Sequence, residues 1–145
     1  MKIYVASSWR NTLQQGVVHT LRAAGHEVYD FKNPPTRSGF GWKQIDGGWE
    51  GWTTAQYLEA LKHPLALEGY KSDKDALDWA DACVLVMPCG RSAHLEMGYA
   101  MGAKKKTVIL LMERAEPELM YKLADHIVTN FGELLTVFGV ANAAE

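Results

Sequence analysis

Asp81-Ala82-Cys83-Val84-Leu85-Val86-Met87-Pro88-Cys89-Gly90-Arg91-Ser92-Ala93-His94-Leu95-Glu96-Met97-Gly98-Tyr99-Ala100 is the stretch that decides the fold. Ala82 to Met87 is an almost unbroken apolar run, the pattern of a strand covered on both faces. Ser92 to Gly102 reads as a helix whose small residues let backbone or ligand come close. Glu96 therefore falls just after a buried strand, near the start of a helix. There the macrodipole and the unpaired amides favour its ionised form, so a carboxylate that stays anionic near neutrality is expected. At the carboxyl end of a parallel strand it would stand where open α/β sheets bind ligands, able to attack an electrophilic carbon. The competing reading is a solvated first-turn acid that serves only its own helix.

Outward from this stretch the chain alternates. Lys2 to Ala6 reads as the first strand, and Leu13, Val17 and Leu21 follow at helical spacing, with Gly25 suited to the left-handed position that ends a helix. Glu27 to Phe31 is the second strand, and this β-α-β opening asks for a parallel sheet with a right-handed crossover. The fourth strand, Thr107 to Met112, follows three lysines that suit a helix carboxyl end. A fifth around His126 to Thr129 and a helix from Phe131 to Phe138 complete the pattern. The fold class expected is α/β, a flavodoxin-like, Rossmann-like three-layer sandwich on a five-stranded parallel sheet, with all 145 residues in one domain.

Lys32 to Trp52 breaks the alternation, with Pro34, Pro35, five glycines and Trp42, Trp49 and Trp52. It reads as a flap that closes on something flat or packs against a neighbouring subunit. Thr53 to Lys62 then reads as a helix stopped by His63-Pro64, and Ser72 to Trp79 as another, with Ser72 and Asp75 spaced like a capping box.

Composition excludes several classes. A formal charge of −2 offers no broad attraction for nucleic acid or an acidic membrane surface. Two cysteines, Cys83 and Cys89, are too few for a disulfide framework or a zinc site and suggest a reducing compartment. The amino terminus begins directly as a strand, and no run approaches the roughly 18 apolar residues of a membrane span, so a cytoplasmic location is expected. No Gly-x-Gly-x-x-Gly or Walker-type loop appears, no metal ligands cluster, and no cofactor is expected.

Two further constellations accompany Glu96. Ser7-Ser8-Trp9-Arg10-Asn11 lies where the first strand turns into its helix, and its hydroxyls, guanidinium and amides would make a small anion site, unless Ser8 merely caps the helix and Arg10 lies in solvent. Asp73 could accept from a nucleobase amine or share a proton with a ring nitrogen, or it could simply favour a helix start. His94 lies two residues from Glu96 and cannot face it, which leaves it as pocket wall or subunit contact.

Taken together these residues resemble the nucleoside 2-deoxyribosyltransferase superfamily, whose members exchange bases on deoxynucleosides or cleave the N-glycosidic bond of nucleoside 5′-monophosphates. The resemblance runs from Lys2-Ile3-Tyr4-Val5-Ala6 through Asp81-Ala82-Cys83-Val84 to Glu96-Met97-Gly98-Tyr99-Ala100 and Lys105-Lys106-Thr107-Val108. It implies Glu96 as the nucleophile, Asp73 as an acid near the base, Tyr4 or the Ser7-Ser8 turn close to the sugar, and Ser8-Trp9-Arg10 as the Ser-x-Arg turn that holds a 5′-phosphate. One position departs. Six residues before the nucleophile the transferases carry Asp and the hydrolases Ser, whereas this chain has Gly90, with Arg91 and Ser92 beside it as substitutes. The implied partners are a small nucleoside or nucleotide and further copies of the chain, as a homodimer or larger homo-oligomer. A TIR-like dinucleotide glycohydrolase and a non-enzymatic nucleotide-binding sensor module are the alternatives.

Overall fold

The computed structural model describes residues 1–140. Its elements are β1 (Lys2–Ala6), α1 (Gln14–Ala23), β2 (Glu27–Asp30), α2 (Thr54–Ala60), α3 (Pro64–Trp79), β3 (Ala82–Val86), α4 (Arg91–Gly102), β4 (Lys106–Leu110), β5 (His126–Val128) and α5 (Phe131–Phe138). All four strand pairings are parallel, in the order β2-β1-β3-β4-β5. This is the flavodoxin-like order, whose topological switch point lies between β1 and β3. Element bounds differ from the sequence reading by one or two residues, the ordinary scatter at fraying ends.

The two-residue period of the strands divides the core between the two faces of the sheet. Ile3, Val5, Val84, Val86, Val108 and Leu110 pack against Val17, Val18 and Leu21 of α1 and Leu134 of α5. Tyr4, Ala6, Cys83, Leu85 and Ile109 face the other way, against Ala76 and Leu77 of α3 and Ala93, Met97 and Ala100 of α4. Small side chains on α4 let that helix lie close to β3. Gly25, at φ 91°, closes α1 as its sequence position demands, and His26 N returns to Leu21 O at 3.1 Å.

One expectation is corrected. The chain from Pro64 to Trp79 is a single 16-residue helix, with no helix start at Ser72. Pro64 stands in its first turn, where its missing N–H costs nothing, and the His63 ring accepts from Leu65 N at 3.1 Å. Ser72 is mid-helix, and its hydroxyl meets Tyr29 Oη at 2.9 Å instead of capping. Asp73 follows it on that same continuous helix.

The base of the flap is fixed by a buried carboxylate. Asp30, 2% exposed at the end of β2, accepts from Gln14 Nε2 at 2.9 Å, Gln15 Nε2 at 2.9 Å, Asn33 Nδ2 at 2.8 Å and Lys32 N at 3.0 Å. Burial pushes its carboxyl upward in pKa, but the donors outweigh that and hold it below the usual value. Asp30→Ala leaves those donors unpaired and is expected to cost about 2–3 kcal/mol. A urea midpoint shift smaller than one-third of that size would show that water replaces the carboxylate without loss. Among the described residues no helix is long and apolar enough to cross a membrane.

Candidate active site

At the carboxyl ends of β1 and β3 a cavity of about 460 Å³ opens. Ser7, Ser8 and Trp9 come to it from the β1 turn, Gly90, Arg91, Ser92, Ala93 and Glu96 from the start of α4, and Asp73 from α3. The chain after β2 closes it with Phe31, Arg37, Phe40, Gly41 and Trp42. Four segments distant in sequence meet there, and the first two lie side by side because β1 and β3 are neighbours in the sheet.

Glu96 lies in the second turn of α4, since the helix begins at Arg91 with Gly90 as its extended N-cap. The macrodipole argument for a fully anionic carboxylate is therefore corrected. Burial dominates: it pushes the Glu96 carboxyl up to about 7, with the nearby Asp73 charge adding to the rise and the Tyr4 phenol working against it. Behind Glu96, Tyr4 is completely enclosed by the sheet and α4. Its hydroxyl is turned toward Glu96 without closing a well-formed hydrogen bond, so it is a buried hydroxyl lacking a partner. Burial, then the Glu96 charge, hold the phenol far from ionising. Tyr4 does not itself line the cavity.

Asp73 accepts from Tyr29 Oη at 2.8 Å, and Tyr29 stacks on Tyr4 with ring centroids 5.2 Å apart. Burial raises the Asp73 carboxyl, while the Tyr29 hydrogen bond and the Arg37 charge pull it back. Two carboxyl groups with raised pKa therefore share one cavity, and a chain of two stacked phenols runs behind them.

The β1 turn divides its residues between structure and cavity. Ser7 Oγ donates to Val86 O at 2.8 Å, which ties β1 to β3. Asn11 is buried: its amide donates to Pro88 O at 3.0 Å and its carbonyl accepts from Leu13 N and Gln14 N at 2.7 and 2.9 Å, so Asn11, and not Ser8, meets the amides ahead of α1. Arg10 is exposed and lies outside the lining. The guanidinium groups at the cavity belong to Arg37 and Arg91. Arg37 is the site residue that sequence reading missed, because a lone arginine in a Gly/Pro-rich stretch carries no periodic signal. Gly69 marks it indirectly: a mid-helix glycine is unfavourable, and here a Cβ would come within 3.1 Å of the Phe40 ring and 3.2 Å of Arg37 Nη2.

The flap is self-packed by aromatic edges. Phe40 meets Trp42 at 5.0 Å between centroids, Trp42 meets Trp52 at 5.8 Å, and Trp52 Nε1 donates to Asp46 Oδ2 at 2.7 Å. Trp9 lies over Gly39, where a Cβ would stand 2.4 Å from its ring. Gly39→Ala is expected to swing Trp9 away from the cavity wall, weakening ligand binding about tenfold, and to cost about 1–2 kcal/mol of stability because the Cβ would also stand 3.1 Å from Lys32 O. Calorimetric titration against an urea unfolding curve separates the two effects.

No protein-family model matches the chain, and no curated protein matches it. Solved structures do. A 2-deoxyribosyltransferase from the psychrotolerant bacterium Bacillus psychrosaccharolyticus superposes with a TM-score of 0.65 at 17% identity, over 99% of this chain and 100% of that one. The CMP N-glycosidase BcmB of Clostridium botulinum superposes with a TM-score of 0.55 at 16% identity, over 95% of this chain and 98% of that one. The chain shares their fold. The resemblance read from sequence thus holds for the architecture over nearly the whole length, and the Glu96 cavity lies at the β1/β3 switch point of the sheet.

Proposed function

We propose that this protein cleaves the N-glycosidic bond of a nucleoside or nucleoside 5′-monophosphate, with Glu96 as nucleophile and water or a second base as acceptor. The observation that carries the reading is the pairing of two half-buried carboxyl groups, Glu96 and Asp73, in one aromatic-walled cavity at the switch point. That two of its fold neighbours are a deoxyribosyltransferase and a CMP N-glycosidase supports it.

As the base departs, positive charge grows at the anomeric carbon, and a carboxylate held beneath that carbon stabilises the transition state and then bonds to it. Ionised Glu96 does this, and Tyr4 positions it from behind. Asp73, whose charge raises Glu96 and which is therefore ionised whenever Glu96 is, accepts a hydrogen bond from the base and orients it, and the departing base takes its proton from water. Trp9, Phe31, Phe40 and Trp42 hold the base flat and exclude water. Ser8, Arg91, Ser92 and the first amides of α4 form the polar end, where a 5′-phosphate is met by Arg91 in place of the exposed Arg10. The exposed apolar side chains Tyr57 and Leu58 on α2, Leu61 just after it, and Leu67 and Tyr70 on α3 support assembly of copies into a homo-oligomer.

The reading is tested by incubating the protein with nucleosides, 5′-monophosphates and nicotinamide dinucleotide, with and without an acceptor base, and measuring free base by chromatography. Release from the first two classes supports it. Release from dinucleotide alone identifies the dinucleotide glycohydrolase chemistry, and saturable binding with no release in any arm identifies a sensor. Because Glu96 must be ionised in the free enzyme, kcat/KM is expected to rise with pH through an apparent pKa of about 7. Tyr4→Phe removes the group that lowers that pKa and should move the limb to higher pH; an unmoved limb would remove Tyr4 from the mechanism.

A further inference from the structure

Two cations line the cavity, and they come from different elements. Arg91 begins α4 beside Ser92, whereas Arg37 comes from the chain after β2 together with Phe40 and lies against α3, the helix that carries Asp73. On the reading of Glu96 as nucleophile, we infer that Arg37 is a further catalytic residue, its guanidinium meeting the negative charge that gathers on the base as the glycosidic bond breaks.

The helix fixes the place of the guanidinium. A Cβ at Gly69 would stand 3.2 Å from Arg37 Nη2 and 3.0 Å from Phe40 Cβ, so both side chains rest on α3 at that glycine. Gly69 and Asp73 are four residues apart on the helix and share a face, which sets guanidinium and carboxyl about one turn apart, roughly 5–6 Å. No ion pair joins them among the described residues. A base held on Asp73 therefore comes within reach of Arg37. Its donors are available: Nη1 donates to Ser38 O, but Nε is enclosed without a partner and Nη2 donates to nothing among the described residues. Enclosed donors are rarely left unpaired, and an acceptor atom of the base beside Asp73 answers this one.

Charge makes a cation at this end necessary. Glu96 attacks as an anion: one of its oxygens forms the bond to the anomeric carbon, and the electron pair of the carbon–nitrogen bond leaves with the base. Negative charge thereby moves from Glu96 to the base. That charge arrives beside the Asp73 carboxylate, which repels it, in a half-buried cavity where water screens the repulsion poorly. Arg37 keeps its charge at any working pH, and that charge already acts on Asp73 and Tyr29. The bound nucleoside is neutral at its base, so Arg37 stabilises the departing anion more than the substrate, which is what lowers a barrier. Water then gives a proton to the base nitrogen. The hydroxide so formed is consumed when the Glu96 ester is hydrolysed to free sugar and carboxylate.

The experiment measures kcat/KM of wild type, Arg37→Gln and Arg37→Lys on two substrate pairs, guanosine with 7-methylguanosine and 5-methyluridine with 5-fluorouridine, each as ribonucleoside, deoxyribonucleoside and 5′-monophosphate. The 7-methylated ring is already cationic and leaves neutral, and the fluorinated base leaves as the more stable anion, so both need the cation less. Arg37→Gln is expected to lose about 100-fold on guanosine and 5-methyluridine and less than about tenfold on 7-methylguanosine, with 5-fluorouridine between them. Arg37→Lys keeps the charge and should recover most of that loss. Should the glutamine variant fail to fold, the lysine variant carries the test, since its smaller loss must also fall on guanosine more than on 7-methylguanosine. Equal losses on both members of each pair, or a loss confined to the 5′-monophosphates, overturn this role and leave the reading of Glu96 standing. Wild-type protein that releases base from none of them overturns both.

Discussion

Glu96→Gln is expected to lower release of free base by about 10³-fold or more while leaving ligand binding within a few-fold of wild type. The size follows from the role: a nucleophile knocked out alone removes nearly all of the chemical step, because the remaining groups act through it. The amide keeps the shape of the carboxyl and still faces Tyr4, so the cavity is not remodelled. Single-turnover base release at saturating substrate, set beside calorimetric binding, distinguishes the two effects. A variant that retains more than one-tenth of wild-type turnover would show that another group attacks the sugar.

The second large effect is on stability, and it has the opposite sign. An unfolded chain titrates this carboxyl near 4.5, whereas burial moves it to about 7 in the folded protein. Between those values the folded state binds a proton that the unfolded state has lost, so stability falls as pH rises through the window, and above pH 7 the whole difference is lost. It amounts to about 3 kcal/mol. Asp73, also raised by burial, contributes in the same direction. Glu96→Gln carries no such penalty and should unfold at higher urea than wild type at pH 8, with the gap closing as pH falls to 4.5. A gap that is constant across that range would mean the carboxyl titrates normally in the fold. Loss of turnover together with gain of stability is the signature of an acid kept in an unfavourable place for its chemistry.

These two results bear on different links of the chain from sequence to function. The position of Glu96 after a buried strand and a glycine turn was legible, because the apolar run Ala82 to Val86 and the small residues of α4 are local signals. Its ionisation was not. The helix alone favours the anion, whereas burial decides, with Tyr4 and Asp73 acting on it from distant parts of the chain. Ser72 failed in the same way: its spacing to Asp75 imitates a helix start, but Pro64 and His63 begin the helix two turns earlier and Tyr29 takes the hydroxyl.

The sequence by itself determined the alternation of strands and helices, the parallel sheet, and the place of Glu96 on the helix that follows a buried strand, since hydrophobic period and turn chemistry act over a few neighbouring residues. Tertiary structure alone decided which arginine reaches the cavity, that Asn11 and not Ser8 meets the amides ahead of α1, and that Glu96 shares a cavity with Asp73. Burial and electrostatic coupling depend on what folds over a residue from elsewhere in the chain, and no local pattern encodes that.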